Sequence, residues 1–171
     1  MTTLPQIPSA ESLCLPPGYR QQGSLETHDK FNNEPYWNTE RIAASGFYQH
    51  HVYKWAADLM GRNNISSVLD IGCGPGTKLA RMIRPVCQDI LGVDLESSVT
   101  VARGLHPDLL FEPIDLDHPG VLGDRTFDLI ICADVIEHLA DPRVLLENIR
   151  STCHTDSRVL LSTPDRDRTR G

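Results

Sequence analysis

The chain is short of positive charge. Sixteen Lys and Arg face 23 Asp and Glu in 171 residues, a formal net charge of -7. A long phosphate-backbone footprint needs a basic face, so nucleic acid is not the expected partner and only a compact basic patch is left open. Paired cysteine is missing as well: the five cysteines, at 14, 73, 87, 132 and 153, are an odd count without a Cys-x-x-Cys. That argues against a disulfide framework and against a structural zinc site, and the natural setting is a reducing cytoplasm. No apolar run comes near the ~20 residues of a membrane span. Even the run from Phe127 to Val135 holds Asp128 and Asp134 inside it. The start of the chain lacks a basic stretch and an apolar core, so a secretory signal is not expected.

What is present is a one-domain length with room for a real core. It is organised around Val68-Leu-Asp-Ile-Gly-Cys-Gly-Pro-Gly76 and the amphipathic run from Thr77 to Ile83. An apolar stretch around an acid, glycines at alternate places and then helical periodicity read as strand, loop and helix. Gly72, Gly74 and Gly76 let the backbone turn sharply and let a ligand touch the main chain. A dinucleotide loop of the Gly-x-Gly-x-x-Gly kind needs glycine at position 77, where Thr77 stands. Asp70 points the same way, because a carboxylate at the strand's end repels a diphosphate and attracts a cation. A ligand with an ammonium and a sulfonium fits better. Cys73 reads as a small residue in a tight turn rather than a nucleophile, since no base is spaced to activate it.

Asp70-x-Gly72-x-Gly74-x-Gly76, in the wording Leu-Asp-Ile-Gly-Cys-Gly-Pro-Gly, resembles motif I of the class I S-adenosylmethionine-dependent methyltransferases, and the similarity runs over about residues 66 to 164. The resemblance implies S-adenosylmethionine as cofactor, held by Asp70, Gly72, Cys73, Gly74 and Gly76. Asp94 ends the next apolar run, 24 residues after Asp70. That is close to the ~20-residue offset at which a βαβ unit offers a carboxylate to ribose hydroxyls. A carboxylate can accept both hydrogen bonds of a vicinal diol, and Leu95 would face the adenine. Strand 3, around Leu109 to Ile114, ends in Asp115-Leu116-Asp117, and the resemblance selects Asp115 and Leu116 for the adenine edge. Strand 4, Thr126 to Cys132, continues as Ala133-Asp-Val-Ile-Glu-His-Leu139. This text is similar to the segment after strand 4 in the small-molecule methyltransferases grouped with ubiquinone and menaquinone biosynthesis. It implies Ala133 and Asp134 beside the methionine part of the cofactor and His138 near the substrate.

Thr39 to Met60 is helical in pattern, with Tyr48, Val52, Trp55 and Leu59 on one face and Gly61 as the C-terminal stop. Trp55 is expected in the core. Tyr36, Trp37, Tyr48, Gln49 and His50 are candidates for the lid that such methyltransferases place before strand 1. A helix over 97–104, another from Asp141-Pro142 with Val144, Leu145 and Ile149 inward, and a fifth strand from Arg158 to Ser162 complete the pattern. The expected architecture is α/β, a doubly wound Rossmann-like parallel sheet of order 3-2-1-4-5. The fold it resembles has order 3-2-1-4-5-7-6, so a product truncated after strand 5 is expected, its open edge a place for a homo-oligomer to form. Residues 1–38 are expected as an extended, proline-rich arm with His28, Asp29 and Lys30 as solvated loop residues. Residues 39–164 are the methyltransferase domain and 165–171 a polar tail.

A sulfonium methyl is already activated, so displacement needs mainly a nucleophile held in line in a dry pocket. An oxygen acceptor also needs a base, and His138 is the first candidate; a helix-start histidine bonding the backbone is the plainer reading. Asp134-x-x-Glu137-His138 also resembles the Glu-x-x-Glu-His of metal-dependent methyltransferases, including small-RNA 2'-O enzymes, which gives an alternative metal-assisted O-methyl transfer. A second alternative is a non-catalytic module that binds S-adenosylmethionine or mediates assembly. The acceptor is expected to be a small molecule, methylated on O, N or C.

Overall fold

The computed structural model describes residues 36–164. The proline-rich arm up to residue 35, with His28, Asp29 and Lys30, and the tail from residue 165 lie outside the described residues.

Five parallel strands form one sheet: β1 Ser67–Ile71, β2 Asp89–Asp94, β3 Leu110–Pro113, β4 Phe127–Ala133 and β5 Cys153–Ser162, in the order β3-β2-β1-β4-β5. This is the expected order. β1 lies at the centre because it is apolar on both faces, buried from Val68 to Ile71. Alternation along β4 sends Leu129 and Ile131 into one core and Ile130 and Cys132 into the other. The first core is closed by Tyr53, Ala56 and Met60 of α2 (His50–Arg62) and Val99 and Ala102 of α3 (Glu96–Leu105). The second is closed by Leu145 and Ile149 of α4 (Pro142–Ser151), whose start is the expected acid cap: Asp141 accepts from the Arg143 N–H at 3.0 Å, with Pro142 in the first turn. Each fully buried aliphatic side chain contributes about 1.5–3 kcal/mol, so the two faces hold the sheet from both sides.

Four expectations are corrected. The helix read over 39–60 is two: α1 (Thr39–Ser45) ends before Gly46, and α2 begins at His50 after Gln49, whose φ of 52° is left-handed. Gly61 does not stop α2, which runs on to Arg62. The buried stripe of α2 is Tyr53, Ala56 and Met60, whereas Trp55 is 61% and Tyr48 65% exposed. Two overlapping i, i+3, i+7 stripes exist in this sequence, and the one that carries Tyr53 wins because its hydroxyl finds a buried partner. β5 also begins earlier than Arg158: its first residues follow α4 directly and enter the sheet through a register irregularity opposite Phe127 and Leu129.

Candidate active site

The carboxyl end of β1 leads into the glycine loop. Gly72, Gly74 and Gly76 all have positive φ, 74°, 57° and 72°. At Gly72 a Cβ would overlap Val135, so the close approach of the segment after β4 requires glycine as much as the turn does. The loop is tied to β2 by the N–H groups of Gly72 and Cys73, which donate to the Val93 carbonyl at 2.8 and 3.1 Å. Cys73 is buried, and burial pushes its thiol well above the usual range, which disfavours the thiolate. After the loop the chain turns helical through Thr77 and Lys78 and then widens into a π-helical turn, Leu79–Ile83, closed by the Arg84 N–H on the Leu79 carbonyl at 2.8 Å.

Asp70 is closed off from solvent. It is fully buried, and the Tyr53 hydroxyl lies 2.9 Å from both of its oxygens. Burial raises its pKa to about 7, against the lowering effect of the Lys78 ammonium and the Tyr53 hydrogen bond and with a further rise from Asp94. Lys78 is itself buried; its Nζ lies 5.0 Å from the Tyr53 ring centroid and donates to the Ser45 carbonyl at 3.4 Å. Burial lowers its pKa, and Asp70 is foremost among the groups that oppose the fall. Tyr53 and Lys78 were not singled out by their local sequence. Their signal is in register, since Tyr53 starts the inward stripe of α2 and Lys78 stands in the first turn after the loop.

Asp94 stands where the βαβ offset puts it. Its Oδ2 accepts from the Gly74 N–H at 2.8 Å and its Oδ1 from the Leu95 N–H at 2.7 Å, so the acid, the loop and the start of α3 are locked together. Leu95 is the N-cap residue of α3 and half-buried. Trp37 crosses this junction: a Cβ on Gly74 would lie 2.9 Å from its Cζ2, and its Nε1 donates to Ser98 Oγ at 2.9 Å. Of the lid candidates, Trp37 and Gln49 reach the site. Tyr36, Tyr48 and His50 are exposed. Tyr36 stacks edge-on against Trp37 with ring centroids 5.0 Å apart.

At the end of β3 the two adenine candidates diverge. Leu116 is buried in the second core, while Asp115 is exposed, accepts from the Asp117 N–H at 3.1 Å and lies 3.5 Å from the His118 Nε2. At the end of β4, Ala133 is buried and Asp134 takes a left-handed φ of 57°. Its carboxylate is held from two sides, by Gln49 Nε2 at 2.8 Å and Ser162 Oγ at 3.0 Å. A 3-10 turn, Ile136–His138, follows. Glu137 is half-buried, accepts from Thr163 Oγ1 at 3.3 Å and has its pKa raised by burial, whereas the His138 side chain is 58% exposed with Nε2 3.9 Å from Glu137. Asp134 is therefore committed to Gln49 and Ser162, while Glu137 and His138 face each other. Among the described residues no group of three His, Cys, Asp or Glu side chains is gathered closely enough to hold a metal ion. No helix among them is long and apolar enough to cross a membrane.

The chain is 31% identical over 114 residues to the ubiquinone biosynthesis O-methyltransferase of Neisseria meningitidis serogroup C, which covers 63% of this chain and 46% of that protein. It is 32% identical over 130 residues to the small RNA 2'-O-methyltransferase of Rattus norvegicus, covering 66% of this chain and 33% of that one. The chain thus spans half or less of the length of these curated relatives. Among solved structures, the YcgJ protein from Bacillus subtilis matches with a TM-score of 0.55 at 26% identity, covering 66% of this chain and 50% of that one. The N-methyltransferase NodS from Bradyrhizobium japonicum, solved with S-adenosyl-L-homocysteine, matches with a TM-score of 0.61 at 17% identity, covering 81% of this chain and 71% of that one, a likeness of fold. The model of the methyltransferase domain family matches residues 41–170, most of the chain, and the protein belongs to that family.

Proposed function

We propose that the chain holds S-adenosylmethionine at the carboxyl ends of β1 and β2 and directs its methyl group to an O, N or C atom of a small-molecule acceptor. The observation that carries this is Asp94. Each of its oxygens accepts one backbone N–H, from Gly74 and from Leu95. Each keeps a further lone pair, which suits a vicinal diol and offers nothing to a phosphate. Asp94 and the main chain of Gly72, Gly74 and Gly76 would hold the nucleoside, with Leu95 as an apolar wall and Ala133 and Asp134 toward the amino-acid end. Asp70 serves the site indirectly, fixing the loop through Tyr53. A bound cofactor supplies an activated methyl group. The chain's own work is then to orient the acceptor, exclude water and take up a proton where the acceptor is a hydroxyl. His138, exposed after β4, is the candidate for taking that proton. The relatives' names, with ubiquinone biosynthesis among them, support a small-molecule acceptor.

The metal-assisted alternative has the likeness to the small RNA enzyme behind it, but Asp134, bonded to Gln49 and Ser162, does not join Glu137 and His138 in a donor set. The non-catalytic alternative shares the same nucleoside site and differs only in turnover. Self-association through the outer edge of β5 is part of the same proposal and is read by light scattering. The deciding experiment is calorimetric titration with S-adenosylmethionine and S-adenosylhomocysteine, on the wild type and on Asp94→Ala. Micromolar binding that weakens at least tenfold in the variant is expected, since the diol loses a charged acceptor. A folded wild type that binds neither compound overturns the proposal, and binding without methyl transfer to a panel of small acceptors would favour the non-catalytic module.

A further inference from the structure

Trp37 is in contact with the floor of the nucleoside site. The 2.9 Å separation between its Cζ2 and an ideal Cβ on Gly74 leaves no layer for another molecule between the indole and the loop. A ring or sugar inserted there would need about 3.5 Å of clearance on each side. The indole is also anchored beyond the loop. Its Nε1 donates to Ser98 Oγ at 2.9 Å, and Ser98 lies in the first turn of α3, four residues after Asp94. The side chain therefore spans from Gly74 to α3 across the same carboxylate that both elements clasp through Gly74 and Leu95 N–H. The anchor is buried: Ser98 is 7% exposed and Trp37 half-buried.

We propose that Trp37 is a built-in competitor of the nucleoside: latched to Ser98, it occupies the space above Gly74 and Asp94, and it must swing out for the ligand to enter. This rests on the nucleoside reading of the site. The chemistry of the occupant favours exchange. An indole offers an apolar face and one N–H, as a purine nucleoside offers an apolar face and polar edges, so the same surfaces serve either. When the ligand displaces it, the freed indole is exposed to water. The apparent affinity is reduced by the fraction of chains that are latched. One hydrogen bond and one ring contact make the latch weak enough to open at ordinary temperature.

Tryptophan fluorescence isolates the event, because the chain has only one other tryptophan, Trp55, and that residue is exposed. In a Trp55→Phe background, acrylamide quenching of Trp37 is measured first without ligand. Ser98→Ala is expected to raise quenching and shift emission to the red, and unchanged emission would overturn the latch. S-adenosylhomocysteine is then titrated, with calorimetry in parallel. The expected result is a red shift and greater quenching at saturation. Affinity should be about three- to tenfold tighter in Ser98→Ala and in Trp37→Phe, the loss of one hydrogen bond from the closed state. A blue shift on binding, or weaker affinity in both variants, would overturn displacement and make Trp37 a wall of the filled pocket. If no variant binds the nucleoside, the function proposed above and displacement fail together, while the ligand-free quenching still decides the latch.

Discussion

The two ends of this sheet treat the same residue type in opposite ways. At the amino end, Asp128 of β4 accepts from the Ser66 N–H at 2.7 Å, the Ser66 hydroxyl at 2.8 Å and the Ser67 N–H at 3.1 Å, with His154 Nε2 at 3.0 Å from its other oxygen. Those donors, the Ser66 N–H foremost, hold its pKa well below the usual carboxylate range. Toward the carboxyl end of the next strand, Asp70 has one hydroxyl and a nearby ammonium, and burial pushes its pKa up to about 7. The amino end is a clamp that satisfies its acid, and the carboxyl end keeps its acid short of donors under a loop of positive φ. Strain and unsatisfied charge are collected where a ligand would bind, and stability is collected at the opposite end.

The contrast breaks most sharply at Gly72. An alanine there meets Val135 and must hold a φ of 74°. A loss of about 3 kcal/mol or more is expected in chemical denaturation, because the backbone cost and the clash add. Recovery of half the loss or more in Gly72→Ala combined with Val135→Ala would show that the clash dominates, and no recovery would assign it to backbone strain.

At the amino end, Asp128→Ala leaves three donors to find water. A loss of about 2 kcal/mol is expected near neutral pH, moderated because the site is partly exposed. The sign follows from the lowered folded pKa. The stabilisation is present above pH ~4, the unfolded value, and is lost as pH falls through the folded value, so the mutant and wild-type curves converge in acid. Cofactor affinity is expected to stay within about twofold, since additivity holds for separate sites. A tenfold change in binding would mean that the two ends are coupled through β4.

Much of this contrast is legible in the chain itself. The strand-helix alternation suffices for a doubly wound parallel sheet and the acid ending β2 for the position of Asp94, because backbone geometry and short-range spacing decide them; the strand order comes from the resemblance that the glycines at 72, 74 and 76 carry. Asp70 was legible as a motif residue but not as a buried one. Its orientation depends on Tyr53, 17 residues earlier on a helix whose inward stripe is one of two that the periodicity allows. Trp37 and Ser98, 61 residues apart, meet only because α3 follows the acid that ends β2. The start of β5 was missed because His154 to Ser157 reads as a polar turn, and it enters the sheet through side-chain bonds such as Ser157 Oγ on the Phe127 carbonyl at 2.6 Å. Contacts set by tertiary register leave little trace in local pattern.

The smallest expected effect, a difference of about 1 kcal/mol between two pH values, tests the carboxyl end most directly. Tyr53→Phe removes the hydroxyl shared by both Asp70 oxygens and changes little else in the core. Burial raises the folded pKa of Asp70 from the ordinary carboxylate range to about 7. Its contribution is therefore fully present below pH ~4 and declines as pH rises toward 7, where the buried carboxylate carries its whole desolvation cost. The Tyr53 bond lowers that pKa, so removing it pushes the folded value higher and extends the decline into the alkaline range. The variant should lose about 2 kcal/mol at pH 8, where a charged acceptor is deprived of its donor, and less than about 1 kcal/mol at pH 5, where Asp70 is protonated. Denaturant melts at the two pH values measure the difference. A small loss equal at both would mean that Asp70 is still neutral at pH 8, and a large loss equal at both that the Lys78 ammonium keeps it charged at pH 5.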